Sequence, residues 1–444
     1  MKRKTLAVSL SAILAASVLF GCGSNSKSGD TKSSSNNGSA SASASDTSNT
    51  GSDTSGSGIQ YDGDDVTITY WHTHGDSEEE VLVDTIIPEF EKQYPNIHVD
   101  AVRMQQIITS LSSGTGPDLM RMDIIWVPEL AEMGALAAVD DLEGFADLKD
   151  NLYEGPLSTN YYNGKYYGLP LNTNCLSGVY SKTMMEELNI DSIPTTYDEV
   201  VALKDKLGSD QYLIACEGAN SWAMAPLFHS LGGVYTNEDY TKASGYVNSE
   251  DSVKALETIV EWYDEGIIGP CFTGGKPDAA NGLYDGNYLF SYQGPWFFTN
   301  DDEENLAKVE VGLLPAGKAG SLTVNGGEDL VMFESSDKKE ASWVFAMFLM
   351  SEFSQTAQAV GGGHLIPTVK TIAESEEVQA VPNMSTYIEQ LEGAVSRTPS
   401  PAWEKISDKL SVAFQSAVLH EDTAQSALDK IAPELDALLA GEAS

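Results

Sequence analysis

Trp296 closes the stretch Asn287-Tyr288-Leu289-Phe290-Ser291-Tyr292-Gln293-Gly294-Pro295-Trp296, an apolar strand that ends in Gly-Pro and runs into three aromatics, Trp296, Phe297 and Phe298. An aromatic delivered at the end of a strand sets a flat apolar face where open α/β sheets keep their ligands. Such a face suits a sugar ring, whose C–H groups pack on it while its hydroxyls turn to polar neighbours. Polar candidates stand at the ends of other strands. His72 and His74 follow the first strand, and each ring can donate or accept a hydrogen bond. Asp123 ends the third strand, where a carboxylate can take two hydrogen bonds from vicinal hydroxyls, and Trp126 follows in the next turn. Asp123 has a second reading as the N-cap of the helix after it. Glu328, after Gly326-Gly327, and Arg397, in Ser396-Arg397-Thr398-Pro399, are further candidates, with a surface salt bridge as the alternative for Arg397. Trp71 and Trp296 each have a core position as the alternative, because Trp is usually well buried. Trp403 is a weaker stacking candidate.

Other chemistry is poorly served. The four cysteines, Cys22, Cys175, Cys216 and Cys271, form no C-x-x-C pair, and there are only 6 histidines, so neither a metal site nor a cofactor is expected. No nucleophile elbow or metal motif appears, and no catalytic residue is assigned. The 66 acidic residues leave open a carboxylate pair of the kind that hydrolyses glycosides, which is the enzymatic alternative. A net charge of −41 excludes nucleic acid and anionic lipid as direct partners of the folded part.

The elements that must position these residues read as follows. Lys2-Arg3-Lys4 precedes an apolar run from Leu6 to Phe20, the form of a secretory signal and too short to span a bilayer. It ends in Leu19-Phe20-Gly21-Cys22, which resembles a bacterial lipobox, with residues 1–21 removed and Cys22 diacylated. Residues 22–60 are nearly all small and polar and read as a flexible tether. From Val66 the pattern is strand, loop, helix, strand, helix, strand, which predicts mostly parallel sheets flanked by helices, with a cleft at the strand ends. Helices are predicted at Ser77–Tyr94, Gln105–Ser112, Val127–Met133, 197–207, 224–231 and 251–265. Asn163-Gly164 predicts a type I′ hairpin turn. Extended segments near 171–175 and 322–328 read as crossings between lobes.

The order of Ile68-Thr69-Tyr70-Trp71-His72, Ser113-Gly114-Thr115-Gly116-Pro117-Asp118-Leu119, Tyr162-Asn163-Gly164-Lys165-Tyr166-Tyr167-Gly168-Leu169-Pro170 and Gly294-Pro295-Trp296 resembles the family 1 extracellular solute-binding proteins of bacterial ABC importers, maltodextrin-binding proteins among them. The resemblance covers about Val66 to Leu439. It implies a two-lobed periplasmic-binding-protein-like fold with a ligand cleft between lobes: lobe 1 at 65–172 plus 323–371, lobe 2 at 173–322 plus 372–444. Closure of such lobes is the signal a transporter reads. It also implies that Trp296 stacks on sugar, that Trp222 is a cleft aromatic, and that Asn174 stands where maltodextrin binders often hold an acid. The sequence departs from the pattern at Arg103-Met104-Gln105, where the loop edging the cleft is short, and in the first loop, where His72, His74 and Asp76 replace the family's frequent charged residue. The implied function is a monomeric receptor, lipid-anchored on the extracellular face of the cell membrane, that binds a carbohydrate, an oligosaccharide by preference, and delivers it to permease subunits without chemistry. A receptor for a non-sugar solute is the other alternative.

Overall fold

The computed structural model describes residues 58–104, 116–299 and 302–442. The expected leader 1–21, Cys22, the tether through residue 57, the helix over Gln105–Ser112 and the segment Ser113-Gly114-Thr115 lie outside the described residues.

Thirteen strands are described: β1 (Val66–His72), β2 (Ile97–Arg103), β3 (Leu119–Asp123), β4 (Tyr161–Tyr162), β5 (Lys165–Tyr166), β6 (Leu169–Cys175), β7 (Ser177–Ser181), β8 (Tyr212–Ala215), β9 (Tyr288–Gln293), β10 (Val309–Gly312), β11 (Thr323–Met332), β12 (Ile366–Pro367) and β13 (Ala394–Val395). The larger sheet has the order β12-β6-β11-β3-β1-β2, with β13 joined to β11, and the smaller has the order β10-β7-β9-β8. The expected parallel pairings are β1 with β2, β1 with β3, and β8 with β9. Other strands run the opposite way: β11 is antiparallel to both β3 and β6, and β7 to both β9 and β10, so both sheets are mixed. Asn163 and Gly164 join β4 to β5 with φ of 46° and 88°, the left-handed pair that a type I′ turn requires.

Each sheet gathers its own core. The side chains of β1 alternate, so Ile68 and Tyr70 join the core that holds Phe90, Phe345 and Phe348, while Trp71 turns to the opposite face. The second core is built on Tyr180, Leu213 and Phe290 and is covered by the helices Glu250–Asp264, Trp403–Val418 and Ala424–Leu439. Burying one such Phe or Leu contributes about 1.5–3 kcal/mol, so both halves have ample means to hold their shape. The predicted helix Ser77–Tyr94 is present with a defect: Asp76–Val81 and Ile87–Gln93 are α-helical, and Leu82–Ile86 between them is a π-helical stretch. Pro88 explains it, since proline has no N–H to bond back and its ring crowds the preceding turn.

The two halves are joined by adjacent crossings. Only Leu176 separates β6 in the first sheet from β7 in the second, and β11 leaves the second half for the first. Thr323 locks the pair, donating its hydroxyl to the Leu176 carbonyl at 2.6 Å and accepting from the Leu176 N–H at 3.2 Å. Three boundaries differ from the sequence reading. Ile59 is buried in the first core and its carbonyl accepts from the Tyr94 hydroxyl at 2.9 Å, so packing begins before residue 65. Thr173, Asn174 and Cys175 complete a strand of the first sheet. Ile372, Val378, Val381, Met384 and Tyr387 also pack in the first core, because the chain stays on that side until about Leu391.

Candidate functional site

The crossings crowd residues from both halves around a short length of β11. A Cβ on Gly326 would stand 2.2 Å from Asn174 Oδ1 and 3.0 Å from Trp222 Cη2. A Cβ on Gly327, whose φ is +142°, would lie 2.5 Å from the Asn172 carbonyl oxygen. The two glycines therefore let β6 and Trp222 close on the same strand, which no larger residue permits. Arg397 lies over the Trp222 ring, its guanidinium carbon 5.2 Å from the centroid. The same guanidinium is paired with Asp123, Nη2 to Oδ1 at 2.8 Å and Nη1 to Oδ2 at 3.3 Å. Asp123 Oδ1 also accepts from the Ile125 N–H at 3.0 Å, but the helix Trp126–Glu132 starts from Ile125 without a side-chain cap, so Asp123 braces the turn before the helix and is not the N-cap expected of it.

A cavity of about 250 Å³ opens here, lined by Asp123, Trp222, Arg397, His229, Tyr235 and Trp403 among others. Two buried polar atoms beside Trp222 make no hydrogen bond: Asn174 Oδ1, an acceptor, and Arg397 Nε, a donor. A buried polar atom without a partner costs on the order of 1–3 kcal/mol, and a ligand hydroxyl would relieve it.

A second polar group lies deeper. The Arg121 side chain is 2% exposed, and its guanidinium reaches Glu328 at 3.0 Å, Glu78 at 3.5 Å, Thr73 Oγ1 at 3.0 Å and Asn172 Oδ1 at 3.3 Å. Asn172 Nδ2 donates in turn to Glu328. His74 Nδ1 is 3.5 Å from Glu78, and the His72 and His74 rings are 5.1 Å apart. Burial, reinforced by the positive charge of Arg121, holds His72 down at about 4 and His74 at about 3, so both rings are neutral near pH 7. Burial works to raise the Glu78 carboxyl, but hydrogen bonding from His74, the Arg121 charge and the Gly75 N–H outweigh it and keep the group ionised. Burial pushes Glu328 up against the pull of Arg121. Arg121 thus holds two carboxylates in one largely buried network.

The expected site residues therefore divide. Asp123, Asn174, Trp222 and Arg397 come together at the crossing. His72, His74 and Glu328 belong to the Arg121 network, and Glu328 keeps a side-chain exposure of 20%. Trp71 takes its core alternative and not a cleft position: strand alternation sets its ring in a core with Met120, Met122, Val127 and Leu130, and half-buried Trp126 packs against the same group. Trp296 is half-buried in the turn Pro295–Thr299 at the end of β9, where Gln293 pairs with Ser177 just beyond the crossing. It is not part of the 250 Å³ cavity lining. Sequence reasoning missed Arg121, Glu78, Asn172 and His229. The signal for Arg121 was a charge inside the apolar strand Leu119-Met120-Arg121-Met122, since an unpaired charge is not tolerated there. Among the described residues no group of acidic, His and Cys side chains could hold a metal ion, and no helix is long and apolar enough to cross a membrane.

Comparison with known proteins bears on this geometry. The family model described as "Bacterial extracellular solute-binding protein" matches residues 85–386. A binding protein of Brucella abortus is 25% identical over 368 residues, 79% of this chain and 88% of that one. The GacH receptor of Streptomyces glaucescens, solved unliganded and with acarbose and an acarbose homolog, is 20% identical with a TM-score of 0.76, covering 84% of this chain and 98% of that one. An ABC transporter solute-binding protein of Thermotoga lettingae, solved with α-D-tagatose, is 26% identical with a TM-score of 0.72, covering 84% and 99%.

Proposed function

The chain belongs to the bacterial extracellular solute-binding proteins, and from that premise we propose that it is the carbohydrate receptor of an ABC importer, tethered by lipid on Cys22 to the extracellular face of the membrane. Lobe 1 is 59–175 plus 323–391 and lobe 2 is 176–322 plus 392–442, on the packing of the two cores. The observation that carries the reading is the crossing itself. An aromatic face, Trp222, stands there beside a buried acceptor and a buried donor that lack partners, Asn174 Oδ1 and Arg397 Nε. Aromatic face plus mixed hydrogen-bonding atoms is the recognition chemistry of a sugar. The ligands of the Thermotoga and Streptomyces proteins, tagatose and acarbose, support it. Trp296, at the end of β9, is a second stacking face in this reading.

Binding without chemistry is favoured by the carboxylates. Register sets Glu328 directly across from Asp123, a pair of carboxylates of the kind glycoside hydrolysis would need. Each is engaged by its own arginine, Glu328 by Arg121 at 3.0 Å and Asp123 by Arg397 at 2.8 Å, so both carboxylates are committed to partners within the protein. The test is a thermal-shift screen against mono- and oligosaccharides, amino acids, polyamines and phosphates, followed by chromatography of any sugar that binds. A sugar at a hundred times its Kd should add about 2.7 kcal/mol of stability. A response confined to another solute class would overturn the carbohydrate reading, and cleavage products would overturn the receptor reading.

A further inference from the structure

We propose that the 250 Å³ cavity beside Trp222 is a subsite for one neutral sugar ring, and that His229 selects that ring by accepting a hydrogen bond from one of its hydroxyls. This rests on the carbohydrate reading above and adds to it a size, a charge and a named specificity residue.

Size comes first. An apolar cavity of about 150 Å³ accommodates benzene. A cavity of about 250 Å³ therefore has room for one six-membered ring with its hydroxyls, and not for two. Charge follows from the lining. The ionisable side chains that meet at the cavity are Asp123, Arg397, His229 and Tyr235. Asp123 and Arg397 neutralise each other at 2.8 Å, so neither a carboxylate nor a phosphate on the ligand finds an uncommitted cation.

Polarity is set by His229. It is buried, and its Nδ1 lies 2.8 Å from the Gly233 carbonyl. A carbonyl oxygen only accepts, so Nδ1 carries the proton and Nε2 is left as the acceptor of a neutral ring. Tyr235 is fixed in the same sense: its hydroxyl donates to the Ser221 carbonyl at 3.1 Å, which leaves its oxygen to accept. Ser221 and Ser407 bond each other at 2.6 Å. Arg397 Nε, on a side chain nine-tenths buried, supplies a donor without a partner. The lining therefore offers acceptors at His229 and Tyr235 and one donor at Arg397, a pattern that receives a polyol.

The experiment is calorimetric titration of the full chain with D-glucose, D-galactose, D-mannose, D-fructose, D-tagatose, maltose and maltotriose, then with the single-deoxy analogues of whichever sugar binds. On the wild-type chain one deoxy analogue should lose about tenfold or more in affinity, the effect of one hydrogen bond to a buried acceptor. His229→Leu should weaken the parent sugar by a similar factor and bind that deoxy analogue no worse than the parent. His229→Gln, which keeps an acceptor, should recover most of the affinity. Ser407→Phe, which fills the cavity from its lining helix, gives a test independent of how His229 variants fold, and should weaken the parent sugar about a hundredfold. Parent affinity unchanged in Ser407→Phe, or the same deoxy penalty in wild type and His229→Leu, overturns the subsite while leaving a sugar receptor standing. Silence of the wild-type chain toward every sugar, mono- and oligosaccharides included, overturns both.

Discussion

Replacing His229 by Gln should change how stability depends on pH by a calculable amount. Burial holds the folded His229 at about 4, against about 6.5 in an unfolded chain. The sign follows from the proton count. Between pH 6.5 and 4 the unfolded chain binds a proton at this residue and the folded chain does not, so stability is full above pH 6.5 and drains away as pH falls toward 4. Linkage puts the loss attributable to His229 between pH 7 and pH 5 at about 2 kcal/mol. Other groups titrate in the same window: His72 and His74 are also held down, whereas burial pushes Glu328 and Asp329 up with the opposite sign. These are common to both proteins and cancel in the difference, since additivity holds for sites without shared partners. The charged groups sharing the cavity with His229, Asp123 and Arg397, are paired with each other. Urea unfolding followed by tryptophan fluorescence, run on wild type and His229→Gln at pH 7 and pH 5, measures the gap. Whatever offset the substitution has at pH 7, the variant should gain about 2 kcal/mol on the wild type by pH 5. A gap independent of pH would mean that His229 is solvated or charged in the folded protein, and the fixed tautomer inferred above would go with it.

Trp222→Ala and Trp296→Ala should each weaken sugar binding by about 2 kcal/mol, roughly thirtyfold in Kd by titration, as for central aromatic anchors; full affinity in both would place the site elsewhere. Arg121→Met should cost about 3–5 kcal/mol of stability in denaturant unfolding, because Glu78 and Glu328 are left buried without their counter-charge. The double variant Arg121→Met with Glu328→Gln should recover part of that loss, and no recovery would show the two to be uncoupled. Cys22→Ala should move the protein from the membrane fraction to the medium, and continued membrane association would contradict the lipid anchor.

What was legible in the sequence was whatever neighbours in sequence decide. β1, β3 and β9 are apolar or β-branched runs bounded by polar or Gly-Pro breaks, and Asn163-Gly164 admits hardly any turn but the one found. The crossings were visible as extended polar segments between such runs. What was hidden depends on partners far along the chain. β11 lies between β3 and β6, which it meets after more than 140 residues, and that antiparallel return makes the sheet mixed and sets Glu328 beside Arg121 and Asp123. A Trp at a strand end gives no sign of which face is buried, and here both faces of the sheet are, so of the two readings open for Trp71 the core position is the one it takes. Arg121 was readable in one respect: it shares its face with Leu119, so its charge had to be met inside the protein, and only the register of β11 determines by what. The same logic separates the two polar groups of the site. The Arg121 network has its carboxylates and amide engaged, although Arg121 Nε, both His72 ring nitrogens and His74 Nδ1 make no hydrogen bond. What sets the Arg397–Trp222 group apart is the cavity of about 250 Å³ that it lines, where an aromatic face and the unpartnered Arg397 Nε give a ligand something to add.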